Sequence, residues 1–406
     1  MTTPSATCIA FLAVTAISAR GEGLRDRTDE IFSFSGFNDQ VRAHFSGTFD
    51  LEYYHFSNEA TGLVFTDQQE LFNPRLTLFF DAQLGSSFYF FAQSRVDRGF
   101  DPSDSPLELR LDEYALRWTP WDDGRLSVQA GCFGTIVGTY VERHLSWENP
   151  FINAPLVYEN MTAIYDAHPP HDAGDFASGL VDEKYDYNPV IWGPSYATGL
   201  SVSGRSGKLD YAVEIKNAGL SSRPESWNNL DNGFHDPTVN ARVAYHPGMA
   251  WTLGVSASQG AYFTEEALPG LPPGSDLGDY KQQVLGQDVS FAWKHWQLWA
   301  ELYQARFDVP HVGHANTIGY YLEAKYKFTP NLFGALRWNQ QLFDDIPNGA
   351  GGEQPWGNDL ARIDAAMTYR FTPDMQLKLQ YSVQREEEPD DDTVSHLFAT
   401  QFTVRF

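Results

Sequence analysis

The chain ends on His396 to Phe406, where Phe398, Phe402, Val404 and Phe406 fall on one parity and Leu397, Ala399, Gln401, Thr403 and Arg405 on the other. Alternate side chains of a strand leave opposite faces, so this pattern predicts a strand with one apolar, aromatic-ended face and one mainly polar face. Pro74 to Leu84 has the same period: Leu76, Leu78, Phe80, Ala82 and Leu84 share one face, and Arg75, Thr77, Phe79, Asp81 and Gln83 the other. Strands of this kind are predicted at 41–57, 74–84, 88–100, 107–119, 125–138, 197–206, 209–219, 237–246, 250–263, 281–294, 297–309, 317–329, 332–344, 360–372, 375–386 and 396–406, about sixteen in all. A slip of parity near Asp112-Glu113 predicts a β-bulge. Each strand core is close to the roughly 9–11 residues that a tilted strand needs to cross a bilayer.

The connections between these strands alternate in length. Short ones are Gly85-Ser86-Ser87, Pro120 to Gly124, Ser206 to Lys208, His246 to Gly248, Lys294 to Trp296, Thr329 to Asn331 and Thr372 to Asp374. Between them lie 58–73, 101–106, 139–196, 220–236, 264–280, 310–316, 345–359 and 387–395. A soluble sandwich has no reason to sort its connections this way, whereas a membrane barrel does. The pattern therefore predicts an all-β fold, a transmembrane antiparallel up-and-down β-barrel with short periplasmic turns and long external loops. Aromatic residues recur beside the short turns, at Tyr114 and Trp118, Trp251, Trp293 and Trp296, Tyr326 and Phe328, and Tyr369 and Phe371. Interfacial girdles of a barrel are built this way.

Composition narrows the picture further. The chain has 406 residues, rich in aromatics (Phe 29, Tyr 20, Trp 11), with a net charge of −25. That charge excludes generic nucleic-acid binding through a basic surface. No run after residue 20 approaches the roughly 18 apolar residues of a spanning helix. Of the two cysteines, Cys8 lies in an N-terminal apolar stretch, leaving Cys132 alone, so no disulfide framework, Cys zinc site or haem-attachment motif is available. Ile9 to Ala19 reads as a signal-peptide h-region with cleavage after Ala19, although it lacks the usual basic n-region. The domain reading is a signal at 1–19, a periplasmic lead-in at 20–40 and a barrel at 41–406 with a long third loop at 139–196. The predicted location is the outer membrane of a Gram-negative-type bacterium.

With the aromatic C-terminus, the seven short turns and the long connection between strands five and six, the chain resembles bacterial outer-membrane porins with sixteen strands. Gln129 to Gly138 is also similar to the glycine-spaced strand of phosphate-selective porins. The resemblance implies a water-filled channel for passive diffusion of ions and small hydrophilic solutes, narrowed by loop 139–196. It further implies a homo-trimer, contact with lipid and lipopolysaccharide, and Phe406 as part of the signal read by the barrel-assembly machinery.

Arg75, Arg95, Arg110, Arg117 and Arg125 fall on the inward parity of strands two to five, with Arg337 and Arg362 further on. Arg on the lipid face at mid-membrane costs roughly 2–4 kcal/mol, so these line the lumen or pair within it. Loop 139–196 carries Glu159, Asp166, Asp172, Asp175, Asp182 and Glu183. A basic wall facing an acidic loop sets a transverse field that filters solutes by charge. Lumen salt bridges without a selective role are the plainer alternative. His168, His171, Asp172 and Asp175 could ligate a metal, but nothing in the sequence fixes their geometry. No cofactor motif, Gly-x-Ser-x-Gly or P-loop is present, so no catalytic residues are assigned. Two other functions stand beside the porin: a barrel sheathing a partner protein such as an electron-transfer conduit, and an outer-membrane enzyme.

Overall fold

The computed structural model describes residues 32–36, 38, 40–58, 69–99, 106–178, 187–227, 234–388 and 392–406. The signal-peptide reading at 1–19 and most of the lead-in lie outside them. Sixteen strands run antiparallel, each beside its sequence neighbours: β1 Val41–Phe56, β2 Glu70–Leu84, β3 Phe88–Asp97, β4 Glu108–Trp118, β5 Ser127–Phe133, β6 Ala197–Ser206, β7 Leu209–Lys216, β8 Thr238–Gly248, β9 Trp251–Ala261, β10 Lys281–Trp293, β11 Trp296–Val309, β12 Gly313–Lys327, β13 Leu332–Phe343, β14 Asp359–Thr372, β15 Met375–Glu387 and β16 Thr393–Arg405. β16 pairs with β1 from Thr48↔Arg405 to Phe56↔Leu397, which closes the barrel. A short strand, Ser33–Gly36, adds to the lower end of β1.

Burial follows the two-residue period. Phe45, Leu78, Leu116, Val213, Val255, Leu322, Leu336, Ile363 and Leu379 are exposed on the outer face. Their inward neighbours are polar and buried, for example Asp50, Gln93, Glu214, Ser256, Glu301, Arg337 and Lys378. An apolar outside over a polar inside is the reverse of a soluble protein and suits a barrel in lipid. Trp296 packs on Tyr326, Tyr326 on Phe328 and Tyr369 on Phe371 (centroids 4.6, 5.1 and 5.0 Å apart), all beside short turns. A closed sixteen-strand barrel with this belt and girdle is an outer-membrane protein.

The predicted bulge is present: Gln93 pairs with Glu113 and Ser94 with Leu111, leaving Asp112 as the extra residue. Two sequence expectations change. The connection expected at 310–316 shrinks to 310–312, because the polar pairs Asp308↔His314 and Arg306↔Asn316 extend the β11–β12 ladder. The strand expected at 125–138 stops at Phe133, and the chain then turns inward.

Candidate functional site

The inward turn after β5 follows from backbone donors meeting carboxylates of the nearby strands β4 and β7. Gly134 N donates to Glu113 at 3.0 Å, and Ile136 N to Glu214 at 3.3 Å. Gly138 has φ +74°, and a Cβ there would lie 1.9 Å from the Tyr303 hydroxyl, so only glycine passes this point. Glu301 on β11 then accepts from Thr139 N, from Thr139 Oγ1 at 2.9 Å, from Tyr140 N at 3.0 Å and from Tyr158 Oη at 2.7 Å. These contacts carry the loop from β5 across the lumen.

Its next segment is held by charge. Arg143 pairs with Glu323 at 2.6 Å, donates to Tyr321 Oη at 2.9 Å and lies 4.4 Å over the Trp299 ring. The Ser146 carbonyl accepts from Lys378 Nζ and from Gln376 at 2.9 Å. Arg405 and Arg370 stack on Trp147 at 4.1 and 4.7 Å. Arg337 donates to Asn153 Oδ1 at 2.7 Å and pairs with Asp364 at 2.8 Å. Arg362 pairs with Glu159 and also with Asp364 at 3.1 Å. Val137, Tyr140, Val157 and Tyr158 pack with Val284, Tyr303 and Tyr321 from the wall. Along β11–β15 the loop is therefore held against the lumen side of the wall.

The opposite wall is less covered. Arg75 pairs with Glu52 at 2.6 Å and Asp50 at 3.3 Å, Arg95 with Asp112 at 3.1 Å, and Arg110 with Asp97 at 3.1 Å. The three arginine side chains are 21, 15 and 16% exposed, whereas all four carboxylates are buried. Three bases set against four acids leave this ladder one charge negative, yet guanidinium groups form its surface. Arg117 sits nearer the short-turn end, bonded to Gln129 at 2.9 Å and over the rings of Tyr89 and Phe91. Arg125 is at the rim, paired with Asp123 at 3.2 Å and stacked on Trp121 at 4.1 Å.

The described loop acids do not gather opposite this ladder. Glu159 meets Arg362 on β14, and Asp166 meets Arg223 at 2.8 Å and Asn188 at 3.2 Å. Burial pushes the Asp166 carboxyl up, against the pull of Arg223. Asp172 and Asp175 are exposed at the long-loop end, where Asp172 accepts from Asp175 N at the start of the short helix Ala173–Ser178. Asp182 and Glu183 lie outside the described residues. Among the described residues no cluster of His, Cys, Asp and Glu converges as a metal site, so His168 and His171 gain no ligating geometry.

Bridging loop and ladder are residues that sequence reasoning missed. His144 Nε2 lies 2.8 Å from Tyr196 Oη, which also accepts from Gln93 at 3.1 Å. Burial, with Arg95 and Arg75 nearby, pushes the His144 pKa down to about 4. Asp50 and Glu52 were legible by parity, since they alternate with Phe49, Leu51 and Tyr53. At the long-loop end a recess of about 260 Å³ is lined by Tyr165, His168, Phe176, Tyr187, Tyr262 and Phe263.

A family model described as "Putative MetA-pathway of phenol degradation" matches residues 169–402. No curated protein matches the sequence. Among solved structures, the outer-membrane channel DcaP of Acinetobacter baumannii is 11% identical with a TM-score of 0.58, covering 92% of this chain and 100% of that one. Salmonella typhi OmpF is 14% identical with a TM-score of 0.57 and the same coverage. An anion-selective porin from Comamonas acidovorans is 11% identical with a TM-score of 0.55, covering 90 and 100%. The resemblance to porins drawn from the sequence thus holds for the fold.

Proposed function

The chain belongs to the family described as "Putative MetA-pathway of phenol degradation", and from that premise we propose that it is an outer-membrane porin whose channel is narrowed by loop 139–196. The observation that carries this reading is the loop seated on β11–β15 while Arg75, Arg95 and Arg110 stay partly exposed on the facing wall. Water and small solutes pass between the two. Guanidinium donors offer hydrogen bonds to solute oxygens, and the buried carboxylates cancel their field, so charge selectivity is weak. We keep the homo-trimer as part of the proposal, on the resemblance alone.

Planar-bilayer recording tests it. Discrete ohmic steps are expected, and Arg75→Glu or Arg110→Glu should move the reversal potential in a salt gradient toward cation selectivity. No steps from folded protein sinks the channel, and an unmoved reversal potential sinks the ladder as its lining.

A second reading concerns the solute. The aromatic recess beside the mouth and the family's description both favour a single-ring aromatic acid or phenol. Proteoliposome uptake of 4-hydroxybenzoate should exceed that of an aliphatic acid of equal size and fall in Tyr165→Ala. Equal uptake rules the preference out.

A further inference from the structure

At the short-turn end of β12–β14 the lumen wall carries cations without matching acids. Lys325 and Lys327 leave the inward face of β12 and Arg370 that of β14, and Phe333 of β13 stands between them, paired with Lys327 on one side and Thr368 on the other. All three cations lie over the Phe333 ring, at 5.0, 5.8 and 4.9 Å from its centroid. Arg370 also stacks on Trp147 of the loop, and its Nε donates to Gln376 at 3.4 Å. Lys327 and Arg370 each stand two residues before a short turn, so the group lines the mouth on that side of the loop. Elsewhere in the lumen Arg75, Arg95, Arg110, Arg143 and Arg337 each meet a carboxylate within 3.1 Å. Among the described residues Lys325, Lys327 and Arg370 have no carboxylate at ion-pair distance. The charge of Glu323 reaches Lys325, but that acid is taken up by Arg143; the exposed Glu148 of the loop acts on both Lys325 and Arg370. Three cations against this one acid leave the group two charges positive, in a chain of net charge −25.

We propose that this mouth is a binding site for a small dicarboxylate. Lys325 and Lys327 are two residues apart on one face, roughly 7 Å along the strand. Two charges on a single centre do not span that distance, whereas carboxylates at the two ends of a short chain do. One carboxylate accepts from Lys325 and the Arg370 fork, the other from Lys327, in charge-assisted hydrogen bonds. The Phe333 ring shields one side of the cations from water and offers apolar surface to the chain between the carboxylates. The site is separate from the ladder of β2–β4, whose arginines carry their own acids, and it goes beyond the porin reading.

Isothermal titration calorimetry of the folded full-length protein in detergent at low salt tests this with adipate, hexanoate and sulfate. Adipate carries two separated charges, hexanoate one, and sulfate two on one centre. Wild type should bind adipate at least tenfold more tightly than either control, and Lys325→Gln/Lys327→Gln should lose that preference. Lys327→Gln alone, at an exposed position, keeps the test readable if the double variant fails to assemble, with adipate affinity down at least threefold. Hexanoate or sulfate bound as tightly as adipate overturns the dicarboxylate site, and variants that bind adipate like wild type overturn its place in the barrel. Binding needs no current, so protein that takes up adipate without discrete steps in bilayers would overturn the channel and keep the site.

Discussion

Arg143 and Glu323 form an ion pair in which both partners are out of water, and among the described residues Glu323 keeps only the ion pair with Arg337, at 3.9 Å, when Arg143 is gone. Removing one partner of a buried pair costs about 3–5 kcal/mol, whereas replacing both with apolar groups is often neutral. Arg143→Ala should therefore loosen the loop and raise channel conductance and noise, while Arg143→Met/Glu323→Leu should return both toward wild type. A double variant as noisy as the single one would show that the charge pair does not hold the loop. His144 gives a second residue-scale prediction. Its pKa falls from about 6.5 in the unfolded chain to about 4. The neutral ring is the form that fits, so its contribution is complete above about pH 6.5 and is lost as pH falls toward 4. Current fluctuations should grow over that window in wild type. His144→Gln should flatten the pH dependence, and a matching wild-type and variant profile would exclude His144 as its source.

At the scale of elements, the strands were legible because one face of each meets lipid and the other water, which writes a period of two into Leu76–Leu84 and Phe398–Phe406 alike. The bulge was legible because Asp112 and Glu113 break that period. The seat of the loop was not. Its anchors join residues far apart in sequence, such as Thr139 to Glu301 and Ser146 to Lys378, and parity says that Arg337 and Arg362 face inward without saying what they meet. The arginines of β2–β4 and those of β13–β14 look alike in the sequence. Only the former keep solvent-facing surface; the latter are consumed by Asn153 and Glu159. The stop at Phe133 was hidden because Gly134 to Gly138 keeps a strand-like composition while the amides of Gly134 and Ile136 bond to wall carboxylates. Gly138→Val should place side-chain atoms against Tyr303 and Glu301 and unseat the loop at its entry. A severalfold rise in conductance is expected, with barrel assembly intact by heat-modifiable migration. Unchanged conductance would mean that the loop does not limit flow.

For the whole molecule the decisive joint is the seam between first and last strands, because an open sheet would leave unpaired backbone in lipid. Gly47 and Phe406 exchange both backbone hydrogen bonds there, at 2.9 and 3.0 Å. A Cβ on Gly47 would lie 2.7 Å from the Phe406 ring, so the absent side chain makes room for the terminal aromatic on the outer face. Phe406 covers Gly47, and on the resemblance to porins we propose for it a second, separable role as an assembly signal. Gly47→Leu leaves the C-terminal sequence untouched and should slow closure or lower the temperature at which the folded band is lost. Deleting Phe406 removes both roles and should cut the folded, membrane-inserted fraction more deeply in cells than in detergent refolding, where no assembly machinery acts. Equal losses in the two settings would assign Phe406 to the seam alone, and normal insertion of the truncated chain would remove it from both roles.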